Sequence, residues 1–154
     1  MDDEIKTTAE LMEGGPQKPK AKAVHADPST HSVEQDPLPA SLSQKPVEQK
    51  SPAEWAYQRL ILYIQNFEKT LNAEEEVAMG FTDTGAGVLR IEGIGYFDPD
   101  IVTFYGTDDI GAKTQLVQHV SQLNVMLRAL PKPKELPEPN RIGFRLAQDL
   151  QKNT

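Results

Sequence analysis

The sequence predicts an α+β domain in which one long N-terminal helix packs on a four- to five-stranded, mainly antiparallel sheet, with a second short helix. Two observations carry this prediction. After Ser51, apolar residues recur at three- and four-residue spacing, which is typical of an amphipathic helix. From Glu75 onward they alternate with polar residues, which is typical of strands buried on one face.

A third observation sets the domain boundary. Residues 1–50 contain six prolines and no Phe, Trp or Tyr. Such a segment buries too little apolar surface to offset the cost of ordering, about 1–2 kcal/mol per residue. We therefore predict a disordered tail over residues 1–50 and a single α+β domain over residues 51–150, which is long enough to bury a core of its own.

The first helix has a clear start. Ser51 is a good N-cap, Pro52 suits the first helical position, and Glu54 stands where a capping box needs an acid. The helix is predicted to continue to about Leu71, with its apolar stripe formed by Tyr57, Leu60, Ile61, Ile64, Phe67 and Leu71. Two further apolar residues lie beside the stripe and are expected to widen the buried face or to contact a partner: Trp55 and Leu62.

Four strands are predicted after the helix, over residues 75–82, 88–96, 101–105 and 114–118. Turn sequences at residues 83–87, 98–100 and 107–112 separate them. Gly93 and Gly95 indicate a bend or bulge in the second strand. The third strand is apolar on both faces apart from Thr103, so we place it inside the sheet.

The last third of the chain leaves alternatives open. Ser121 is a plausible N-cap, and the spacing of the apolar residues that follow favours a short helix over residues 121–130, with a fifth strand as the competing interpretation. Residues 131–139 contain four prolines and must be extended and irregular. Residues 141–146 alternate again, which predicts a short edge strand or an extended clamp.

Three segments, Ile94-Gly95-Tyr96-Phe97, residues 118–123 and residues 141–146, resemble a family of short bacterial proteins that is classed as a domain of unknown function. The resemblance extends over residues 51–146. It implies a bacterial protein, and it implies no activity, so it assigns no functional residue.

Composition excludes several classes of function. The net charge is −7, and neither the tail nor the domain is basic, which argues against nucleic acid and anionic membrane surfaces as partners. The absence of cysteine excludes disulfides and thiolate chemistry and fits a reducing cytoplasm, where we place the protein. The acidic N-terminus lacks the apolar region of a secretory signal.

Metal and cofactor signatures are weak. Asp98-Pro99-Asp100 lacks the further oxygen ligands and the glycine of a calcium loop. Gly85 and Gly87 lack the third glycine and the following helix of a dinucleotide site. We predict no metal site and no cofactor.

His119 is the only histidine after residue 50. If the third and fourth strands form a hairpin, it lies near Asp98 and Asp100 and far from Asp108. Such a pair could support a small hydrolase or transferase, which is the alternative function, but a histidine that braces the strand end explains the same pattern. No residue is assigned a catalytic role.

The candidate binding residues are polar. Gln118, His119, Ser121 and Gln122 crowd one junction, where they could bind a polar ligand or peptide, or satisfy the backbone. Arg141 and Arg145 flank the last alternation and could clamp an acidic group. The best reading of the sequence is a non-enzymatic binding or protein-interaction module. Because one long helix covers only one side of the sheet, we expect the other side to bind a protein or peptide partner or, in a homodimer, a second copy of the chain.

Overall fold

The computed structural model describes residues 20–39, 42, 45, 49–81 and 87–152. Within these residues the domain has two helices and five strands: α1 (Pro52–Glu68), β1 (Glu75–Phe81), β2 (Val88–Phe97), β3 (Ile101–Thr107), β4 (Lys113–His119), β5 (Val125–Pro131) and α2 (Gly143–Lys152). Short 3-10 turns occupy Val33–Gln35 and Val120–Gln122. All neighbouring strands are antiparallel, in the order β4-β3-β2-β1-β5, so the predicted fold class is confirmed.

Helix α1 begins where the capping residues predict. The Ser51 Oγ accepts the backbone N–H of Glu54 at 3.0 Å, and Pro52 occupies the first turn. The β2–β3 turn adds a second anchor, because the backbone N–H of Ala53 donates to the carbonyl oxygen of Pro99 at 3.0 Å. The helix ends at Glu68, earlier than the spacing predicts, and the chain reaches Leu71 through tight turns.

The core lies between α1 and one face of the sheet. Tyr57, Ile61 and Ile64 of the predicted stripe are buried against strand residues such as Met79 and Phe104. Full burial of one such aliphatic side chain is worth about 1.5–3 kcal/mol. The predicted stripe therefore lies on the correct face of α1.

The predicted irregularity in β2 is present as a register shift between Ile91 and Gly93. Its tightest point is on the neighbouring strand. A Cβ at Gly106 would lie 2.0 Å from the carbonyl oxygen of Arg90, so only glycine lets β3 approach β2 this closely.

The predicted second helix over residues 121–130 is wrong, and the competing fifth strand is observed. β5 pairs with β1 along its full length, from Glu75 opposite Pro131 to Phe81 opposite Val125. The apolar residues of this segment have helical spacing, but the segment forms a strand because β1 would otherwise be an unpaired edge of the sheet. Ser121 instead lies in the 3-10 turn that follows β4.

The predicted edge strand or clamp over residues 141–146 is also wrong. Helix α2 covers most of this segment and packs on α1. Three buried residues stand four apart, which is helical spacing: Ile142 just before α2, and Leu146 and Leu150 within it. The alternation within residues 141–146 concealed this spacing because the helix continues beyond it.

Part of the predicted tail contacts the domain. Leu42 is 2% exposed and belongs to the core, and its carbonyl oxygen accepts a hydrogen bond from Lys50 Nζ. The same ammonium donates to Gln58 Oε1 at 2.9 Å and lies 4.1 Å from the ring centroid of Trp55. Residues 1–19 lie outside the described residues, as do residue 82, predicted to end the first strand, and residues 83–86 of the predicted turn. Disorder of residues 1–50 stays a prediction.

In the described part of the chain, neither helix has the length and apolar character that crossing a bilayer requires.

Candidate functional site

His119 lies at the end of β4, between a carboxylate and a hydroxyl. Its Nε2 is 3.0 Å from Oδ2 of Asp100, and its Nδ1 is 2.8 Å from the Oγ of Ser121. The backbone N–H of Ser121 also donates to Nδ1, at 3.0 Å. Because Nδ1 accepts a hydrogen bond from this N–H, the neutral ring carries its proton on Nε2, which points at Asp100.

The backbone positions this cluster. His119 pairs with Ile101 across the β3–β4 ladder, and the N–H of Val120 donates to the carbonyl oxygen of Asp100 at 2.8 Å. On the other side of the same turn, Asp98 Oδ1 accepts the hydroxyl of Ser51 at 2.5 Å. The β2–β3 turn therefore joins the start of α1 to the end of β4, and the predicted proximity of His119 to this turn is confirmed.

The cluster has two chemical interpretations. A hydroxyl, an imidazole and a carboxylate in hydrogen-bond contact are the groups of a nucleophile, its base and an orienting acid. The same contacts also cap the 3-10 turn Val120–Gln122, in which Gln122 Oε1 accepts the N–H of His119 at 3.4 Å. The side chains of His119 and Asp100 are 47% and 40% exposed, so water is not excluded from the pair. This exposure favours a structural role, in which His119 stabilises the turn after β4, over a catalytic one.

The four polar residues predicted at this junction divide into two groups. His119, Ser121 and Gln122 lie together, whereas Gln118 pairs with Val102 and points to the helix side of the sheet. Gln118 is 7% exposed, and among the described residues its Oε1 has no hydrogen-bond partner. Side chains alternate between the faces of a strand, so neighbours in sequence separate here.

The two predicted arginines do not act as a pair on an edge strand. Arg141 Nη2 donates to the carbonyl oxygens of Asn72 and Glu75, at 2.5 and 3.0 Å, and so holds the α1–β1 connection. Arg145 is exposed on α2. The residue that the sequence did not single out is Glu68, whose Oε1 accepts the N–H of Gly143 at 3.1 Å and whose pKa is raised by burial.

The second candidate surface is the side of β2, β3 and β4 that faces away from the helices. We call it the open face, and it comprises Phe97, Ile101, Thr103, Tyr105 and Val117. Phe97 is 75% exposed, Val117 58% and Tyr105 43%. The ring of Tyr105 lies next to Gly93 and Gly95, 3.5 Å from the position of a Cβ on the first and 3.8 Å on the second. The open face therefore carries an accessible apolar patch, and Gln115 and His119 lie beside it on the same side of β4.

The proline-rich segment borders this surface at its far end. Arg90 forms an ion pair with Glu76 at 2.6 Å and donates to the carbonyl oxygen of Pro131. The N–H of Asn140 donates to the other oxygen of Glu76 at 2.8 Å. These bonds leave Glu76 3% exposed and fasten residues 131–140 near β1 and the start of β2.

Comparison with curated proteins and with solved structures gave no match. A family model described as a family of unknown function, DUF6173, matches residues 45–145. The matched range contains α1, all five strands and the first residues of α2. The capped helix, the five-stranded sheet and the turn with His119 all lie within this range. The chain therefore belongs to the DUF6173 family of unknown function.

Proposed function

We propose that this domain is a non-enzymatic protein-interaction module, that its binding surface is the open face, and that its partner there is a second copy of the chain. The observation that carries the proposal is the exposure of Phe97, Tyr105 and Val117 on one side of a sheet whose other side is covered by α1. Contiguous apolar surface of this kind on a folded domain usually marks an interface.

The strand register makes these side chains neighbours. Phe97 pairs with Ile101 across β2 and β3, and Thr103 pairs with Val117 across β3 and β4. Directly paired Cβ atoms are about 4.5–5.5 Å apart, and the next pair on the same face lies within reach of an aromatic ring. The exposed residues therefore form one patch rather than isolated apolar positions.

Charge complementarity supports a second copy as the partner. Asp100, whose Oδ2 contacts His119 and whose other carboxylate oxygen can accept a further contact, lies at one end of the open face. Lys113 lies at the other end of β4, opposite Thr107. A two-fold axis in the plane of the interface, perpendicular to the strands, would bring Lys113 of each copy to the Asp100 end of the other. Two sheets packed face to face in this way would bury both apolar patches about 10 Å apart.

The direct test is sedimentation equilibrium over a micromolar concentration series. We expect a mass of twice 17.1 kDa for the wild-type chain. Val117→Asp, which adds a charge to an exposed side chain, should give the monomer mass with an unchanged circular dichroism spectrum. The matched control is Ile110→Asp on the β3–β4 loop, where the side chain is 84% exposed and lies outside the open face. A monomeric wild-type chain, or equal behaviour of the two variants, would refute the dimer.

A second candidate function, a small hydrolase or transferase, is favoured by the contacts of His119 alone. In that case Ser121 is the nucleophile, His119 its base and Asp100 the orienting acid. Hydrolysis of p-nitrophenyl acetate by the wild-type chain, compared with Ser121→Ala and His119→Gln, separates the two proposals. An interaction module gives the same slow rate for all three proteins, whereas an enzyme loses its turnover in both variants.

A further inference from the structure

A cavity of about 700 Å³ lies on the side of α1 that faces away from the sheet, beneath the tail segment over residues 20–39. Its apolar wall includes Trp55 and Leu62 from α1 and Leu38 from the tail. Pockets for small molecules commonly have volumes of about 300–1,000 Å³ and a mainly apolar lining. The off-stripe position of Trp55 and Leu62 is thereby explained, because they line this cavity.

The charges around the cavity favour an anion. Three cationic side chains line it, Lys20, Arg59 and Lys69, against two acids. Both acids have hydrogen-bond partners: Tyr63 donates its hydroxyl to Glu34, which lowers the pKa of that carboxyl and keeps it charged, and Asp36 Oδ1 lies 2.5 Å from His31 Nε2.

The three cationic side chains have fewer partners than the acids. Within the described ranges, Lys20 and Lys69 form no ion pair, and Arg59 contacts the hydroxyl of Tyr63. With three cations against two carboxylates, the charged residues of the lining sum to +1, in a chain whose net charge is −7.

Arg59 is the best placed of these cations. It stands one helical turn after Trp55 and one turn before Leu62 and Tyr63, so all four side chains lie on the same side of α1. A guanidinium group can donate two parallel hydrogen bonds to one carboxylate or sulfonate, which a lysine cannot do.

We propose that this cavity binds a small organic anion with an apolar body. Its acid group is held by Arg59, and its body lies against Trp55, Leu62 and Leu38. Lys20 and Lys69 raise the local positive potential. The site is separate from the open face, because the two lie on opposite sides of the layer formed by α1 and the sheet.

The test uses 8-anilino-1-naphthalenesulfonate as the probe and the full chain. We expect its fluorescence to saturate at one probe per chain. Arg59→Gln should weaken binding by about tenfold or more, the loss expected for one charge-assisted contact. Arg128→Gln, which removes an exposed arginine from β5, is the matched control and should bind as the wild type does. Circular dichroism checks that each variant is folded.

Two further comparisons make the result decisive. Decanoate should displace the probe, and decanamide, which has the same chain without the charge, should displace it about tenfold less well. Val117→Asp should leave binding unchanged. Equal binding by Arg59→Gln and the wild type, equal displacement by the two competitors, or loss of binding only in Val117→Asp would overturn the proposal. The last result would place the probe on the open face.

Discussion

Glu68, the last residue of α1, accepts the backbone N–H of Gly143, the first residue of α2, at 3.1 Å. The carboxylate thereby caps a second helix from outside that helix. It is 8% exposed, and within the described residues its other oxygen has no hydrogen-bond partner. Burial raises its pKa above the ordinary value of 4.5, against the opposing effects of the Gly143 N–H and the Arg141 charge.

This contact predicts a pH-dependent effect of Glu68→Gln. The raised pKa means that ionisation disfavours the folded state, so stability is lost as the pH rises from 4.5 through the folded-state pKa. Glutamine keeps the acceptor for Gly143 and cannot ionise. In urea titrations, Glu68→Gln should therefore gain stability relative to the wild type as the pH rises, so that the difference in unfolding free energy (variant minus wild type) is larger at pH 7 than at pH 4.

The matched control is Glu68→Ala, which removes the acceptor as well as the titrating group and should be less stable than Glu68→Gln by about 1–3 kcal/mol at both pH values. A difference between Glu68→Gln and the wild type that stays constant from pH 4 to pH 7 would show that the carboxylate does not titrate in this range.

The burial of Leu42 predicts that the tail contributes to the stability of the domain. The leucine side chain is buried in the core, and Leu42→Ala should lower the free energy of unfolding by about 2–5 kcal/mol, the usual cost of truncating a buried leucine. Val24→Ala, at a position that is 83% exposed, should leave it unchanged. If thermal or urea unfolding shows the same stability for both variants, residues 1–50 are detached as their composition predicts.

The close approach at Gly106 gives a prediction for the sheet. Gly106→Ala places a methyl group against the backbone of β2 and should destabilise the domain by about 3 kcal/mol or more, because a strand rather than a flexible side chain must move. Gly93→Ala, where the nearest atom would be 3.5 Å away on Tyr105, should cost less. Urea unfolding of the two variants provides the comparison, and equal costs would contradict the assigned register.

The helix α1 and strands β1 to β4 could be predicted because their signals are local. Ser51 and Pro52 define the helix start, and apolar alternation or a short apolar run between turn sequences defines the strands. β5 could not be predicted, because the apolar residues of 121–130 have helical spacing. The segment forms a strand because it pairs with the edge of β1, which is not a local signal. α2 was missed because the four-residue spacing of its buried residues becomes visible only when Leu150 is included.

The candidate site was predictable to the extent that it depends on strand pairing. The hairpin of β3 and β4 places His119 beside Asp100, as the sequence indicates. The separation of Gln118 from His119 follows from strand alternation, which the grouping by sequence position ignored. The role of Glu68 and the cavity over Trp55 depend on how α2 and the tail pack on α1, and neither packing has a local signal.

Hydroxyl-radical footprinting at low and high protein concentration tests the open face most directly. Aromatic side chains react readily with the radical, so their oxidation reports exposure. If a second copy covers the open face, oxidation of Phe97 and Tyr105 should fall as the concentration rises through the dimer range. Oxidation of Trp55, the only tryptophan, on the opposite side of α1, should stay constant. Oxidation of Phe97 and Tyr105 that does not change with concentration, in a chain shown to be dimeric by its mass, would place the interface elsewhere and contradict the proposed binding surface.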